Sequence, residues 1–129
     1  MMTDSHETPK KILVIENEGI IRLALLNLLH DNGFLAMGAE DGLIGVKLAR
    51  EVMPDLIVCN VRMPGVSGYE VLRELRTHPI TATIPFIFLS AESPQADMIQ
   101  ELQLDTERYL TKPYSSEQLL QAIAKALKS

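Results

Sequence analysis

The chain has 129 residues, 47% of them hydrophobic, and a formal net charge of −5 at pH 7. This length and composition are typical of one globular domain with a full hydrophobic core. The acidic balance and the lack of any run of basic residues argue against a nucleic-acid-binding groove. A single cysteine, Cys59, excludes an internal disulfide and fits a reducing compartment.

The N-terminal stretch MMTDSHETPK lacks the apolar core of a signal peptide. The most apolar stretch, residues 20–29, contains Arg22 and Asn27 and is too short to span a bilayer. We therefore expect a cytoplasmic protein without membrane contact. It should have a flexible tail over residues 1–9 and one domain over residues 10–129.

Five short apolar runs predict the strands of a sheet that is covered on both faces. The runs contain β-branched or aromatic residues and little alternation with polar residues, as is usual for strands buried on both sides. They are KILVI (11–15), FLAMGA (34–39), DLIVCN (55–60), IPFIFLS (84–90) and RYLT (108–111).

A helical pattern follows each of these runs. The first three patterns cover residues 18–32, 41–52 and 67–77. The fourth opens with Ser93 as N-cap and Pro94 in the first turn, and the fifth starts at Ser115, which forms a capping box with Gln118. This alternation predicts an α/β fold, an open parallel sheet with helices on both faces.

Polar residues end four of the five apolar runs. They are Glu16 and Asn17 after the first run, Asn60 at the end of the third, Ser90 at the end of the fourth and Lys112 after the fifth. Open parallel sheets bind their ligands beyond the carboxyl ends of the strands. We therefore expect these side chains to line one functional crevice.

The chain resembles the response-regulator receiver domain in four successive blocks, KILVIENE, PDLIVCNVRMPGVSGYEVLRELR, IPFIFLSA and YLTKPYSSEQLLQAI. The resemblance covers residues 10–128, with every block in order. It implies a (βα)5 doubly wound, flavodoxin-like sheet with strand order 2-1-3-4-5. Members of this family accept a phosphoryl group from a histidine kinase on an aspartate, beside a Mg²⁺ ion.

The resemblance implies a role for each strand-end residue. Asn60 holds the phosphoacceptor position, and Glu16 and Asn17 hold those of the acidic pair that binds the metal together with it. Ser90 and Lys112 match the hydroxyl and the lysine that contact the phosphoryl group.

Three further features bear on the resemblance. Ser90 and Tyr109 match the hydroxyl and the aromatic ring of the family's conformational switch. Lys112-Pro113 matches a Lys-Pro pair whose peptide bond is usually cis in the family. The segment LDTERYLTKP has Asp105 where the family has glycine, so we expect a loop of different shape.

The departures from the family pattern affect the chemistry. Phosphorylation requires a carboxylate nucleophile, and the amide of Asn60 is neutral with a delocalised nitrogen lone pair. Mg²⁺ favours anionic oxygens, and Asn17 is a second amide where the family has a carboxylate. Glu16 then balances Lys112 in charge, and these two could satisfy each other without a metal. Arg62 either reaches into this pocket or points to solvent.

These departures favour a pseudo-receiver that is not an enzyme and acts by protein–protein interaction in two-component-type signalling. Its partners would be a histidine kinase or another signalling protein, an output domain or a second copy. Mg²⁺ would bind weakly or not at all, and no other cofactor is expected. The alternative is a conventional receiver, phosphorylated on aspartate, in which Asn60 is an Asp-to-Asn variant. A more remote alternative is a small-molecule binder that uses the same crevice.

The first predicted helix carries leucines on two faces. With Ile21, Leu25 and Leu28 toward the sheet, Leu23 and Leu26 point outward. Outward leucines can mark a docking surface, although scattered surface leucines are also common. Leu23 and Leu26 are therefore candidate partner contacts.

Overall fold

The structure, a computed structural model, describes residues 8–128. The predicted tail, residues 1–9, lies outside the described residues except for Thr8 and Pro9, which are exposed and in no regular element. Five parallel strands form one sheet in the order β2-β1-β3-β4-β5. The strands are β1 (Lys11–Ile15), β2 (Leu35–Ala39), β3 (Leu56–Asn60), β4 (Phe86–Ser90) and β5 (Tyr109–Thr111).

The helices are α1 (Gly19–Asp31), α2 (Gly42–Val52), α3 (Gly68–Arg76), α4 (Pro79–Ala82), α5 (Ala96–Leu102) and α6 (Ser116–Lys128). A 3₁₀ turn, Thr106–Arg108, precedes β5. The α/β class and the strand order 2-1-3-4-5 are confirmed. Within the described residues, no helix is both long and apolar enough to cross a membrane.

Each face of the sheet has its own hydrophobic core, because successive side chains of a strand point to opposite sides. Leu13, Ile57 and Phe88 pack on the face covered by α2 and α3. Ile12 and Val58 pack on the other face, against α1 and α6. Burial on both sides explains why the strands are continuous apolar runs.

Most helix boundaries follow their sequence signals. α1 ends before Gly33, which has a φ of +88°. α3 begins with a capping box in which the Ser67 hydroxyl accepts from the Glu70 N–H at 3.2 Å. The predicted capping box before α6 is confirmed, since the Gln118 N–H donates to the Ser115 hydroxyl at 3.0 Å.

The region from α4 to β5 differs from the prediction. The short helix α4 was not predicted, and the predicted N-cap Ser93 is wrong, because α5 begins at Ala96. The residue before α5, Gln95, has an extended backbone with a φ of −73° and a ψ of 137°, so the helix begins only after it. Asp105 caps the 3₁₀ turn, so the loop before β5 has a helical shape.

The leucines of α1 divide differently from the prediction. Leu23 points outward and is 58% exposed, as expected. The prediction for Leu26 is wrong, because its side chain packs against the core beside Leu25 and Leu29. Leu26 lies only about 60° around the helix from Leu29, so it turns toward the edge strand β2 and not toward solvent.

Gly68, the first residue of α3, connects this helix closely to the end of β3. A Cβ at this position would lie 2.5 Å from the backbone oxygen of Asn60 and 3.0 Å from the Cα of Val61. The Gly68 N–H also donates to the Val61 oxygen at 2.8 Å. Only glycine allows the helix to approach the strand this closely.

Gly68→Ala is expected to lower the free energy of unfolding by about 1–3 kcal/mol, because the added carbon meets backbone atoms with little freedom to move. The matched control is Gly19→Ala, where the nearest atom to the added carbon is 3.7 Å away. This control should be neutral or slightly stabilising. Urea unfolding followed by circular dichroism measures both, and equal midpoints for Gly68→Ala and the wild type would contradict the packing described above.

Candidate functional site

The strand ends bring the predicted site residues to one edge of the sheet. β1 and β4 flank β3, with Ile15 paired to Cys59 and Asn60 paired to Leu89. The Lys112 N–H donates to the Ser90 oxygen at 2.7 Å, which joins the end of β5 to the end of β4. The carboxyl edge of the sheet therefore carries all five predicted residues.

Glu16 and Asn17 form the side of the site that lies beyond β1. Glu16 is only 2% exposed, and its carboxylate accepts a hydrogen bond from the Glu18 N–H at 2.9 Å. The Oδ1 atom of Asn17 is buried and has no hydrogen-bond partner in the described structure. A buried acceptor without a partner is uncommon in proteins, so this side of the site keeps an unused acceptor.

Asn60 ends β3 with its amide turned toward its own loop. Its Nδ2 donates to the backbone oxygen of Arg62 at 3.0 Å. An aspartate has no proton to donate in this way at neutral pH. The amide therefore makes a local contact that a phosphoacceptor carboxylate does not make.

Lys112 and Glu16 do not form the pair that their charges allow. Lys112 is exposed, and no ion pair joins it to Glu16 within residues 8–128. The physical reason is that the Glu16 carboxylate is buried and bonded to its own loop, whereas a lysine ammonium is strongly hydrated. The described residues therefore do not use the possible pairing of these two side chains.

Arg22 of α1 is a second cation at this edge, and it was not among the residues predicted from the sequence. Its Nη1 donates to the backbone oxygen of Glu16 at 2.7 Å. Its side-chain stem crosses Gly38, where a Cβ would lie only 3.0 Å from the Arg22 Cδ. The sequence feature that could have indicated its role is the position of this charged residue inside the apolar stretch IIRLALL. Arg22 adds positive charge beside Glu16 and further reduces the attraction for a dication.

A crevice of about 550 Å³ opens between the loop after β3 and the loop after β4. Ser90 lies in its wall, 2% exposed, and the Ser90 hydroxyl accepts from the Glu92 N–H at 3.1 Å. Arg62 points outward and is paired with Glu92 at 2.9 Å, with its side chain 76% exposed. Arg62 thus links the two loops and does not reach the buried residues of the site.

Tyr109 is held inside the crevice by two hydrogen bonds. Its hydroxyl donates to the backbone oxygen of Glu92 at 3.1 Å and lies 3.1 Å from the hydroxyl of Tyr69. Both rings are largely buried and pack on Phe88, with ring centroids 5.4 and 5.8 Å apart. Burial, followed by the bond to Tyr109, raises the pKa of Tyr69. Tyr109 was predicted from the sequence as a site residue, whereas Tyr69 was not.

The residues present do not fit the Mg²⁺ site that the resemblance implies. Within residues 8–128, no three His, Cys, Asp or Glu side chains lie together where they could hold a metal. Of the three positions matched to metal ligands, only Glu16 carries a carboxylate, and Asn60 directs an amide donor at a neighbouring carbonyl. Mg²⁺ usually enters protein sites through carboxylates. The donor set is therefore that of a weakened or lost metal site.

Comparisons with known sequences agree with this geometry. The profile of the response regulator receiver domain matches residues 12–124. The chain is 31% identical over 113 residues to protein PilH of Pseudomonas aeruginosa, covering 88% of this chain and 93% of PilH. It is 34% identical over 114 residues, 88% of this chain, to the phosphate regulon transcriptional regulatory protein PhoB of Escherichia coli, and it spans about half the length of that regulator.

Solved structures show the same fold. The chemotaxis protein CheY4 of Vibrio cholerae superimposes with a TM-score of 0.82 at 25% identity, over 92% of this chain and 99% of CheY4. The receiver domain of a sensor histidine kinase from Pseudomonas aeruginosa gives a TM-score of 0.83 at 26% identity, over 95% of this chain and 100% of that domain. That structure has a magnesium ion coordinated in its active-site cleft.

The chain therefore belongs to the response regulator receiver domain family and is a receiver domain of two-component signalling. The Lys112–Pro113 peptide bond is cis, as the resemblance implies.

Cys59 lies beneath the site and is buried. Burial, and then the negative charge of Glu16, raise the pKa of its thiol well above the usual range. We expect no reaction of the native protein with Ellman's reagent at pH 8 and full reaction once it is unfolded, because the thiolate is the reactive form. Rapid labelling of the native protein would contradict this burial.

The same shift predicts a pH dependence of stability. Only the unfolded state ionises its thiol when the pH rises above about 8.5, so the free energy of unfolding should decline above that pH. Cys59→Ala removes this contribution. The urea midpoint of the wild type should therefore fall relative to that of Cys59→Ala between pH 7 and pH 10. A constant difference between the two midpoints would contradict the raised pKa.

Proposed function

We propose that this receiver domain signals without phosphorylation, through contacts with other proteins. The observation that carries the proposal is the amide of Asn60, at the position that the resemblance assigns to the phosphoacceptor. An amide nitrogen has no free lone pair with which to attack phosphorus, so the domain would accept no phosphoryl group there. In this proposal the domain is not an enzyme.

The charge of the site supports the same proposal. Two unit charges about 4 Å apart attract each other by about 4 kcal/mol at an effective dielectric of about 20. With amides at positions 17 and 60, two such attractions for a Mg²⁺ ion are missing, and Arg22 contributes repulsion nearby. Weak or absent Mg²⁺ binding is therefore part of the proposal.

The position of Tyr109 indicates how such a domain works. The hydrogen bonds to Tyr69 and to the Glu92 oxygen hold the ring inside the crevice. A domain held in one state by its own contacts changes state only when a partner binds its conformations with unequal affinity. Partner binding, in a cytoplasmic signalling pathway, would then replace phosphorylation as the controlling event.

Histidine kinases, other signalling proteins and output domains are the partner classes that the family implies. Leu23 and Ile20 of α1, 58% and 88% exposed, are the apolar side chains that such a partner would cover there. Leu26 is no longer a contact candidate because it packs against the core.

Intact mass spectrometry after incubation with Mg²⁺ and acetyl phosphate tests the proposal. The wild type and Asn60→Asp should gain no phosphoryl group, whereas Asn17→Asp/Asn60→Asp, with both carboxylates restored, should gain one. Asn27→Asp makes the same chemical change on the exposed face of α1 and serves as the control. A mass gain by the wild type overturns the proposal.

A mass gain by the single variant Asn60→Asp would point to a different function. It would favour the alternative function, a conventional phosphorylated receiver in which one Asp-to-Asn change at position 60 is the sole block. Two points support this alternative. Ser90 keeps its place at the end of β4, and a change of one residue at position 60 is enough to block phosphorylation.

Tyr69→Phe tests the hydrogen-bonded position of Tyr109. The variant should lose about 1 kcal/mol of unfolding free energy, because one buried hydroxyl partner is removed while the ring is kept. The chain has no tryptophan and three tyrosines, so near-UV circular dichroism reports their environment directly. Tyr114→Phe is the control, and an unchanged stability of Tyr69→Phe would show that the bond to Tyr109 contributes little.

A further inference from the structure

A cavity of about 260 Å³ lies toward the amino ends of β4 and β5, away from the carboxyl edge that carries Asn60. It is enclosed by the end of α3, the segment between α4 and β4, and the turn before β5. Its apolar lining includes Leu72, Phe86 and Phe88, which belong to the buried core. Apolar cavities with a few polar groups are typical of small-molecule sites.

Two arginines line this cavity, although the chain as a whole is acidic. They are Arg76, at the end of α3, and Arg108, at the end of the 3₁₀ turn, and the lining has one anion, Asp105. The Asp105 carboxylate accepts from the Glu107 N–H at 2.9 Å and lies 3.9 Å from the Arg108 Nε. The cavity therefore has an excess of positive charge in a chain with a net charge of −5.

Arg76 has a backbone partner but no carboxylate partner. Its Nη1 donates to the backbone oxygen of Leu102, the last residue of α5, and it makes no ion pair with any residue in the described range. Partial burial lowers the pKa of its guanidinium, because this charge has lost water without gaining a counter-charge. The remaining N–H groups of a guanidinium form a planar fork that matches a carboxylate.

We propose that this cavity binds a small aromatic carboxylate, with the carboxylate on Arg76 and the ring against Phe86. A cation would be repelled by the two arginines, and a neutral apolar ligand would cover Arg76 without supplying a counter-charge. An inorganic anion would meet the arginines but leave the apolar lining in contact with water. A ligand that has both an aromatic ring and a carboxylate matches the whole lining.

Phe88 connects this cavity to the two tyrosines of the crevice. It lines the cavity, and its ring centroid lies 5.4 Å from that of Tyr69 and 5.8 Å from that of Tyr109. Arg76 also contacts the end of α5 through the Leu102 oxygen. The ligand is therefore an effector in this proposal, because it shifts the conformation of the domain when it binds one arrangement of these contacts more tightly than another.

Titration of the isotope-labelled chain with sodium benzoate, followed by two-dimensional amide NMR, tests the proposal. Binding should be saturable, with a Kd of about 1 mM for a ligand of this size. The shifted amides should include those of Ile84, Gln103 and Leu104, which line the cavity. The amides of Tyr69 and Tyr109 should shift as well, through Phe88. Benzamide has the same ring without the charge and should bind about tenfold more weakly.

Arg76→Gln removes the charge and keeps a side-chain amide donor. Benzoate binding should weaken about tenfold, because a hydrogen-bonded ion pair is lost. The control is Arg73→Gln, since Arg73 lies one turn earlier on α3, pairs with Glu101 of α5 at 2.5 Å and does not line the cavity. This control also removes a contact between α3 and α5, so an unchanged benzoate affinity separates ligand binding from the docking of α5.

Several results would overturn the proposal. They are the lack of saturable benzoate binding, shifts confined to amides outside the cavity, equal binding of benzamide, and unchanged affinity in Arg76→Gln. Equal shifts with inorganic phosphate would show an adventitious ion only, and binding without shifts at Tyr69 and Tyr109 would refute the effector role.

The comparison of benzoate with benzamide uses the wild type alone, so it decides the matter even when Arg76→Gln does not fold. None of these measurements depends on whether position 60 accepts a phosphoryl group. The effector site and the proposed function therefore fail independently.

Discussion

The burial of β3 on both faces, between two parallel neighbours, is the constraint on which the rest of the structure depends. Its register with β1 and β4 fixes Asn60 at the centre of the carboxyl edge. Gly68 then brings α3 within contact of the Asn60 backbone, so the strand end cannot shift without moving a helix. Any group at position 60 is therefore presented in the same place, whether or not it can react.

Most polar groups at the carboxyl edge of the sheet are satisfied by hydrogen bonds within their own loops. Glu16 and Ser90 each accept a hydrogen bond from a backbone N–H two residues farther along the chain. Asn60 donates to the Arg62 carbonyl, also two residues away. Buried polar groups that are paired within their own loops stabilise the conformation of those loops. Asn17, with its unpaired oxygen, is the exception.

The loops around the crevice are joined through Glu92 and the two tyrosines, Tyr69 and Tyr109. The Glu92 backbone oxygen, in the loop after β4, accepts from the Tyr109 hydroxyl, and the Glu92 carboxylate pairs with Arg62 in the loop after β3. The Arg62–Glu92 pair is exposed and contributes little to stability. The buried Tyr69–Tyr109 contact therefore holds the arrangement more firmly, and a partner that alters it would change the surface of the domain.

The sequence determined the α/β class and the place of the site, because two-sided burial and strand–helix alternation leave a clear pattern in apolar residues. The strand order followed from the resemblance to the receiver family. The sequence also identified Asn60 and Asn17, since an amide is recognisable without coordinates. Only the tertiary structure decided which side chains meet. Tyr69 and Glu92 act through contacts between residues that are distant in sequence. The side-chain stem of Arg22 crosses Gly38 of β2, and Leu26 turned inward because α1 packs near β2. Such contacts depend on how the elements pack, and no local pattern encodes them.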